Sequence, residues 1–262
     1  VIAALPMYDW PERRAEVDAE WAAIRDKMRA RSVDAPESLT RRNGDMPPVP
    51  GGIRDGQGRL IAPDPATLPP DEFDLATLWR HPSLLFGQTC WAPMELGLSP
   101  HVSLVGEPDY TPFEGGRDSF YSSAIVMRRA DLPSAIGIAA PSDGLADIPV
   151  SLLRGKRFAF NGTDSMSGYH GFKRDLEKMG ETLDIFTALI ETGAHRSSVQ
   201  AIAADRADFA TIDCRSWHLA QRHEPAAQQL VVVGWTARRP GTPFISAKSL
   251  AATACRGLGL AE

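Results

Sequence analysis

Two hydroxyl side chains, Ser165 and Ser167, stand two residues apart in the glycine-rich stretch Asn161–Gly171, which reads Asn-Gly-Thr-Asp-Ser-Met-Ser-Gly-Tyr-His-Gly. The apolar run Phe158-Ala159-Phe160 before it reads as a buried strand. The run after it, Phe172 to Met179, reads as a helix closed by Gly180, with Tyr169, Phe172, Leu176 and Met179 on one face. The serines therefore fall where a strand hands over to a helix. The first backbone N–H groups of a helix lack internal partners and carry partial positive charge. Hydroxyls beside them add donors, and the combination suits an oxyanion held without a cation. Asp164 or Ser165 acting only as an N-cap is the simpler alternative for the same residues.

Other polar residues also end apolar strands or open helices. His195 follows Gly193-Ala194 and starts a helix; it could donate to an anion or simply face solvent. Asp213 ends the apolar strand Phe209–Ile212, where a carboxylate needs a partner: a ligand amine or hydroxyl, Ser165 or His195 to hold in place, or the helix Ser216–Arg222 that it would cap. Gln88 and Thr89 tip another strand, where they could reach a ligand or stabilise a turn. Tyr8, Trp10, Trp91, Tyr121 and Trp217 could line a pocket for an organic body or an amine; Trp10 and Trp217 fit core packing better. Cys90 lacks any nucleophile signature and reads as a small buried thiol.

The elements that carry these residues alternate. An apolar strand at Val1–Leu5 leads through an aromatic, proline-rich loop to a helix from Pro11 to about Arg31, with Val17, Trp21, Ile24 and Met28 at helical spacing. Residues 32–72 are rich in loop breakers, with a short strand at about Arg59–Ala62 after the turn Gly56-Gln57-Gly58. A short helix at Asp74–Arg80, strands at Leu84–Cys90 and Val102–Gly106 and one long strand at Phe120–Arg128 follow. After Gly155 come strands at Arg157–Phe160, Leu183–Phe186, Phe209–Ile212 and Leu230–Val233, separated by helices. Arg238–Phe244 reads as a turn and Ala247–Leu258 as a final helix. Alternating strands and helices imply α/β lobes with mostly parallel sheets, and in such sheets ligands bind off the carboxyl ends of the strands.

Composition narrows the function. The 262 residues are 43% hydrophobic and 23% charged, ordinary for a globular chain. A net charge of -5 offers no basic surplus for nucleic acid, and no apolar run is long enough for insertion into a bilayer. Cys90, Cys214 and Cys255 have neither metal spacing nor a disulfide framework, so no metal and no cofactor are called for. The chain starts at Val1 rather than Met, in an apolar run, so a removed signal peptide is one expectation for its origin.

Taken in order, several motifs add up to a family: Leu5–Asp9 (LPMYD), Gln88-Thr89-Cys90, Tyr121-Ser122-Ser123, DSMSGY from Asp164, Thr192–Ile202 (TGAHRSSVQAI), Ala207–Asp213 (ADFATID) and Val231–Thr236 (VVVGWT). From Ile2 to Phe244 the chain resembles the phosphate/phosphite/phosphonate-binding proteins of ABC transporters, within the type 2 periplasmic-binding-protein fold. The resemblance implies two α/β lobes joined by two crossing hinge strands, with lobe I formed by residues 1–124 and 236–262 and lobe II by 125–235. Ligand would be held in the cleft between the lobes. It implies ligand contacts from Ser165, Met166 and Ser167, which match a Ser-Thr-Ser turn, with Met166 lacking the middle hydroxyl but keeping its N–H. It implies further contacts from His195, Asp213, Tyr8 and Tyr121, and Gln88 and Thr89 would reach the ligand from lobe I.

The function expected is capture of a small anionic ligand by a monomeric, exported or periplasmic protein that delivers it to an ABC-transporter permease. Two alternatives remain open on the same fold. One is an enzyme similar to pyrimidine-precursor synthases or menaquinone-pathway lyases, which could be cytoplasmic. The other is a sensory ligand-binding module.

Overall fold

The computed structural model describes residues 1–132 and 137–260. The chain forms two compact units, the first comprising Val1–Glu107 and Thr242–Glu262, the second Pro108–Gly241. The divisions therefore lie at 107/108 and 241/242, whereas the sequence places its crossings at 124/125 and 235/236.

The first unit begins with strand β1 (Ile2–Ala4) and helix α1 (Arg14–Arg29). Val17, Trp21 and Met28 lie on one face of α1 and are buried, with Trp21 stacked on Phe86. Its first turn, Pro11–Arg13, is a 3-10 turn, consistent with Pro11 at a position that needs no N–H. A hairpin of β2 (Ile53–Arg54) and β3 (Leu60–Ala62) follows, then α2 (Leu75–Arg80), capped by Asp74, whose carboxylate accepts the Thr77 N–H at 2.7 Å. Next come β4 (Leu84–Gln88), buried throughout, the short α3 (Trp91–Pro93) and β5 (Val102–Gly106).

The second unit opens with two short strands, β6 (Gly116–Arg117) and β7 (Phe120–Tyr121), and continues into β8 (Ser123–Arg128). The single strand expected over Phe120–Arg128 is broken at Ser122. Its N–H bonds Gly115 O and its carbonyl accepts the Cys214 N–H, both outside the ladder. Then come α4 (Val150–Leu153), β9 (Arg157–Phe160), α5 (Gly171–Lys178), β10 (Ala188–Glu191), α6 (His195–Ala203), β11 (Phe209–Asp213), α7 (Cys214–His223), β12 (Leu230–Trp235) and β13 (Arg239–Pro240). The strand expected at Leu183–Phe186 is instead a 3-10 turn, Leu183–Ile185, capped by Thr182, and β10 starts at Ala188. The hydroxyl of Thr182 accepts the Asp184 N–H and favours a turn over an extended start. β10 is only four residues long and half-exposed, with the apolar Leu189 on its exposed face, which is why its alternation signal is weak. β13, within the expected turn Arg238–Phe244, pairs with β7. The chain then returns to the first unit with β14 (Phe244–Ala247) and α8 (Ala251–Leu258).

The first unit's main sheet has the order β1-β4-β14-β5, with β1 parallel to β4 and β14 antiparallel to both neighbours. The second unit's sheet has the order β10-β9-β11-β8-β12. Here β10, β9 and β11 are parallel, and β8 runs antiparallel to β11 and β12. Its core gathers Phe158, Phe172, Phe186 and Phe209, with Phe158 and Phe209 stacked at 4.8 Å between ring centroids.

Candidate anion site

In the second unit, three chain segments that follow parallel strands converge. After β9, residues Met166–His170 form a π turn before α5, with Ser165 as N-cap. Ser165 Oγ accepts the Gly168 N–H at 3.0 Å, and Ser165 O accepts the His170 N–H at 3.0 Å. After β10, α6 begins at His195. At the end of β11 stands Asp213, the N-cap of α7.

The side chains then form a chain of contacts. Ser165 Oγ lies 3.4 Å from Ser167 Oγ, which lies 2.9 Å from His195 Nε2, and the same Nε2 is 3.3 Å from Asp213 Oδ2. Asp213 Oδ1 accepts the Ser216 N–H at 2.9 Å. Capping and facing the histidine, alternatives in the sequence, are thus divided between the two carboxylate oxygens. Likewise the cap at Ser165 uses an oxygen lone pair and leaves the hydroxyl proton free to donate. Burial pushes the His195 imidazole below its ordinary value against the opposing pull of Asp213, so the ring is neutral near pH 7.

The turn is fastened to the sheet by hydroxyls. Ser123 Oγ on β8 donates to Ser167 O at 3.1 Å, and Thr211 Oγ1 on β11 donates to Gly168 O at 2.9 Å. Both residues are fully buried. Gly168 is required by close approach: a Cβ there would lie 1.8 Å from Asn161 Oδ1 and 3.3 Å from His195 Cε1. Asp175 on α5 is buried and accepts from Arg239 Nη2 at 2.5 Å and from the Ala237 N–H at 2.8 Å. Arg239 in turn packs over the Cα of Gly171, where the π turn passes into α5.

Five of the sequence-predicted residues, Ser165, Met166, Ser167, His195 and Asp213, come together here. The Met166 side chain is buried, with its sulfur 3.8 Å from Arg174 Nη1. Tyr121 lies in the small sheet of the same unit, its ring 5.4 Å from that of Tyr110. Tyr8, Gln88 and Thr89 belong to the first unit and are all buried. Gln88 is used internally: its Nε2 donates to Thr242 Oγ1 at 2.8 Å and its carbonyl accepts from Trp79 Nε1. Thr89 N–H bonds Pro243 O. Ser123, Thr211, Asp175 and Arg239 escape a reading for ligand contacts because they hold the turn rather than line it. A polar residue inside the apolar run Phe209–Ile212 is the signal that Thr211 offered.

Residues 101–258 match the family described as ABC transporter, phosphonate, periplasmic substrate-binding protein. Among solved structures, the chain is similar to PhnD1 of Prochlorococcus marinus, in complex with methylphosphonate, at 14% identity and a TM-score of 0.52, covering 69% of this chain and 62% of that one. It is also similar to a binding-protein component of an ABC phosphonate transporter from Pseudomonas aeruginosa, at 15% identity and a TM-score of 0.51, covering 66% and 54%. The chain thus spans less than two thirds of the length of either. No curated protein matches it. With its matched segment covering more than half of the chain, including the whole of the second unit, the chain belongs to the phosphonate-type periplasmic substrate-binding proteins of ABC transporters.

Proposed function

We propose that this protein is a solute-binding protein that captures a small oxyanionic organic ligand, phosphonate- or phosphate-like, outside the cytoplasm and hands it to an ABC importer. The observation that carries the reading is the π turn Met166–His170, with Ser165 and Ser167 at its start and a neutral His195 against it. A helix start of this kind presents N–H and O–H donors to an anion. Ser165 and Ser167 bind the head group, the Met166 N–H assists, and His195 and Asp213 support them. Tyr8, Gln88, Thr89 and Tyr121 are assigned to the ligand by family resemblance.

The cluster does not have the layout of a catalytic triad, which favours the binding reading. In a nucleophile–base–acid triad the serine and the carboxylate engage opposite ring nitrogens. Here Ser167 and Asp213 both face Nε2 of His195, so the ring cannot relay a proton between them. The Cys214 thiol beside Asp213 is pushed far up by burial and then by the carboxylate, and is inert.

A thermal-shift panel of methylphosphonate, inorganic phosphate, phosphite, methanesulfonate and acetate tests the reading. At one hundred times its dissociation constant a ligand adds about 2.7 kcal/mol of stability. The expected result is a clear shift with at least one phosphorus oxyanion, recovered chemically unchanged, and no shift in the Ser165→Ala/Ser167→Ala double variant. Absence of any shift, or a shift that survives the double substitution, overturns it.

A further inference from the structure

A neutral imidazole carries one proton, and the surroundings of His195 decide where it sits. Nδ1 is buried and has no hydrogen-bond partner among the described residues, whereas Nε2 has two close oxygens. With the proton on Nδ1 it would find no acceptor, and the bare Nε2 lone pair would face the Asp213 carboxylate 3.3 Å away. Ser167 would then have to turn its hydroxyl proton onto Nε2. With the proton on Nε2 it lies between two acceptors, Asp213 Oδ2 and Ser167 Oγ, and the Ser167 hydroxyl proton points elsewhere. Asp213 cannot rotate freely, because its other oxygen is held by the Ser216 N–H at 2.9 Å. At the far end of the chain, Ser165 Oγ accepts the Gly168 N–H through one lone pair, and its hydroxyl proton is not used in that bond.

We propose that Asp213 is a positioning residue that holds His195 in the Nε2–H tautomer, so that Ser165 and Ser167 both keep their hydroxyl protons for the ligand. This inference rests on the oxyanion reading of the turn. In this arrangement the turn can direct both hydroxyl protons to the head group, and Asp213 acts on the ligand through two intervening side chains. The role is orientation, since the carboxylate itself would repel an anion placed against it.

Asp213→Asn tests the proposal, because asparagine caps a helix as well as aspartate does. Its carbonyl oxygen would stay on the Ser216 N–H and its NH2 would turn to Nε2. The ring proton is then driven to Nδ1, and the Ser167 hydroxyl competes to donate to Nε2. Long-range 1H–15N spectra of the ligand-free protein read the tautomer directly, and calorimetric titration with methylphosphonate reads the affinity. The expected result is Nε2–H in the wild type, Nδ1–H in Asp213→Asn, and an affinity lower by about tenfold or more, the size of one hydrogen bond to a charged group. Ser167→Ala should lower affinity while leaving the ring in the Nε2–H form. An Nδ1–H ring in the wild type overturns the proposal with no variant needed, as does an Asp213→Asn ring that stays Nε2–H. A switched tautomer with unchanged affinity also overturns it. Failure of the wild type to bind methylphosphonate or any other panel anion overturns the oxyanion reading itself, and the ligand role of the tautomer with it, whatever the spectra show.

Discussion

Ser83 N–H donates to Nδ1 of the buried His81 at 3.0 Å, so the ring proton sits on Nε2, 2.9 Å from Pro47 O. A second proton would set two N–H groups against each other at Nδ1. Burial is the leading cause that lowers the His81 pKa, with the Pro47 carbonyl pulling the other way. His195 and His101 shift in the same direction, each chiefly through burial. A lowered folded value means that the unfolded chain takes up protons first as pH falls. The stabilising contribution is therefore complete above the unfolded imidazole value of about 6.5 and is lost as pH drops through the lower folded values. Urea unfolding between pH 7 and pH 5 should show falling stability, and His81→Gln should flatten that slope. An unchanged slope in the variant would remove His81 from the account.

The π turn and α5 act as one element, and the buried Asp175–Arg239 pair clamps their junction. Removing one partner of a buried pair leaves the other without compensation, so Asp175→Ala should cost about 3–5 kcal/mol in urea denaturation, well beyond an exposed helix substitution. The same element shows what the sequence discloses. Phe172 and Leu176 are buried at their expected helical spacing, while Met179 lies past the helix end and is half-exposed. The apolar periodicity of β9, α5, α6, β11 and α7 was legible because each buries a face against the sheet. The break at Ser122 and the turn at Leu183–Ile185 were not, because hydrogen bonds from distant or local polar groups decide them, and these leave no periodic trace. At the site, Ser165, Ser167, His195 and Asp213 were legible from residue type at strand ends. Their order around a single ring nitrogen was not, because it depends on how far each strand end projects. The hydroxyl tethers from Ser123 and Thr211 join residues 44 and 43 positions from their acceptors, beyond the reach of spacing arguments.

Seen whole, the chain is one unit inserted in another. The second unit, 108–241, is contiguous and contains its complete five-stranded sheet, its phenylalanine core and the Ser165–Ser167–His195–Asp213 cluster. A fragment of residues 108–241 should therefore unfold cooperatively by circular dichroism, whereas residues 1–107 alone should not; a non-cooperative 108–241 would show that its core depends on the rest of the chain. The reason is the position of β14. In the first unit's sheet β5 pairs only with β14, which also borders β4, and β14 is made about 140 residues after β5. At ordinary ribosomal speed that is a delay of roughly 7–30 s. During it the nascent chain carries two open strand edges, at β4 and β5, while residues 108–241 are still being made. Exposed edges of this kind recruit foreign strands, so the protein's vulnerability to aggregation is concentrated in its biosynthesis. The codons for β14 act as the latch that ends it.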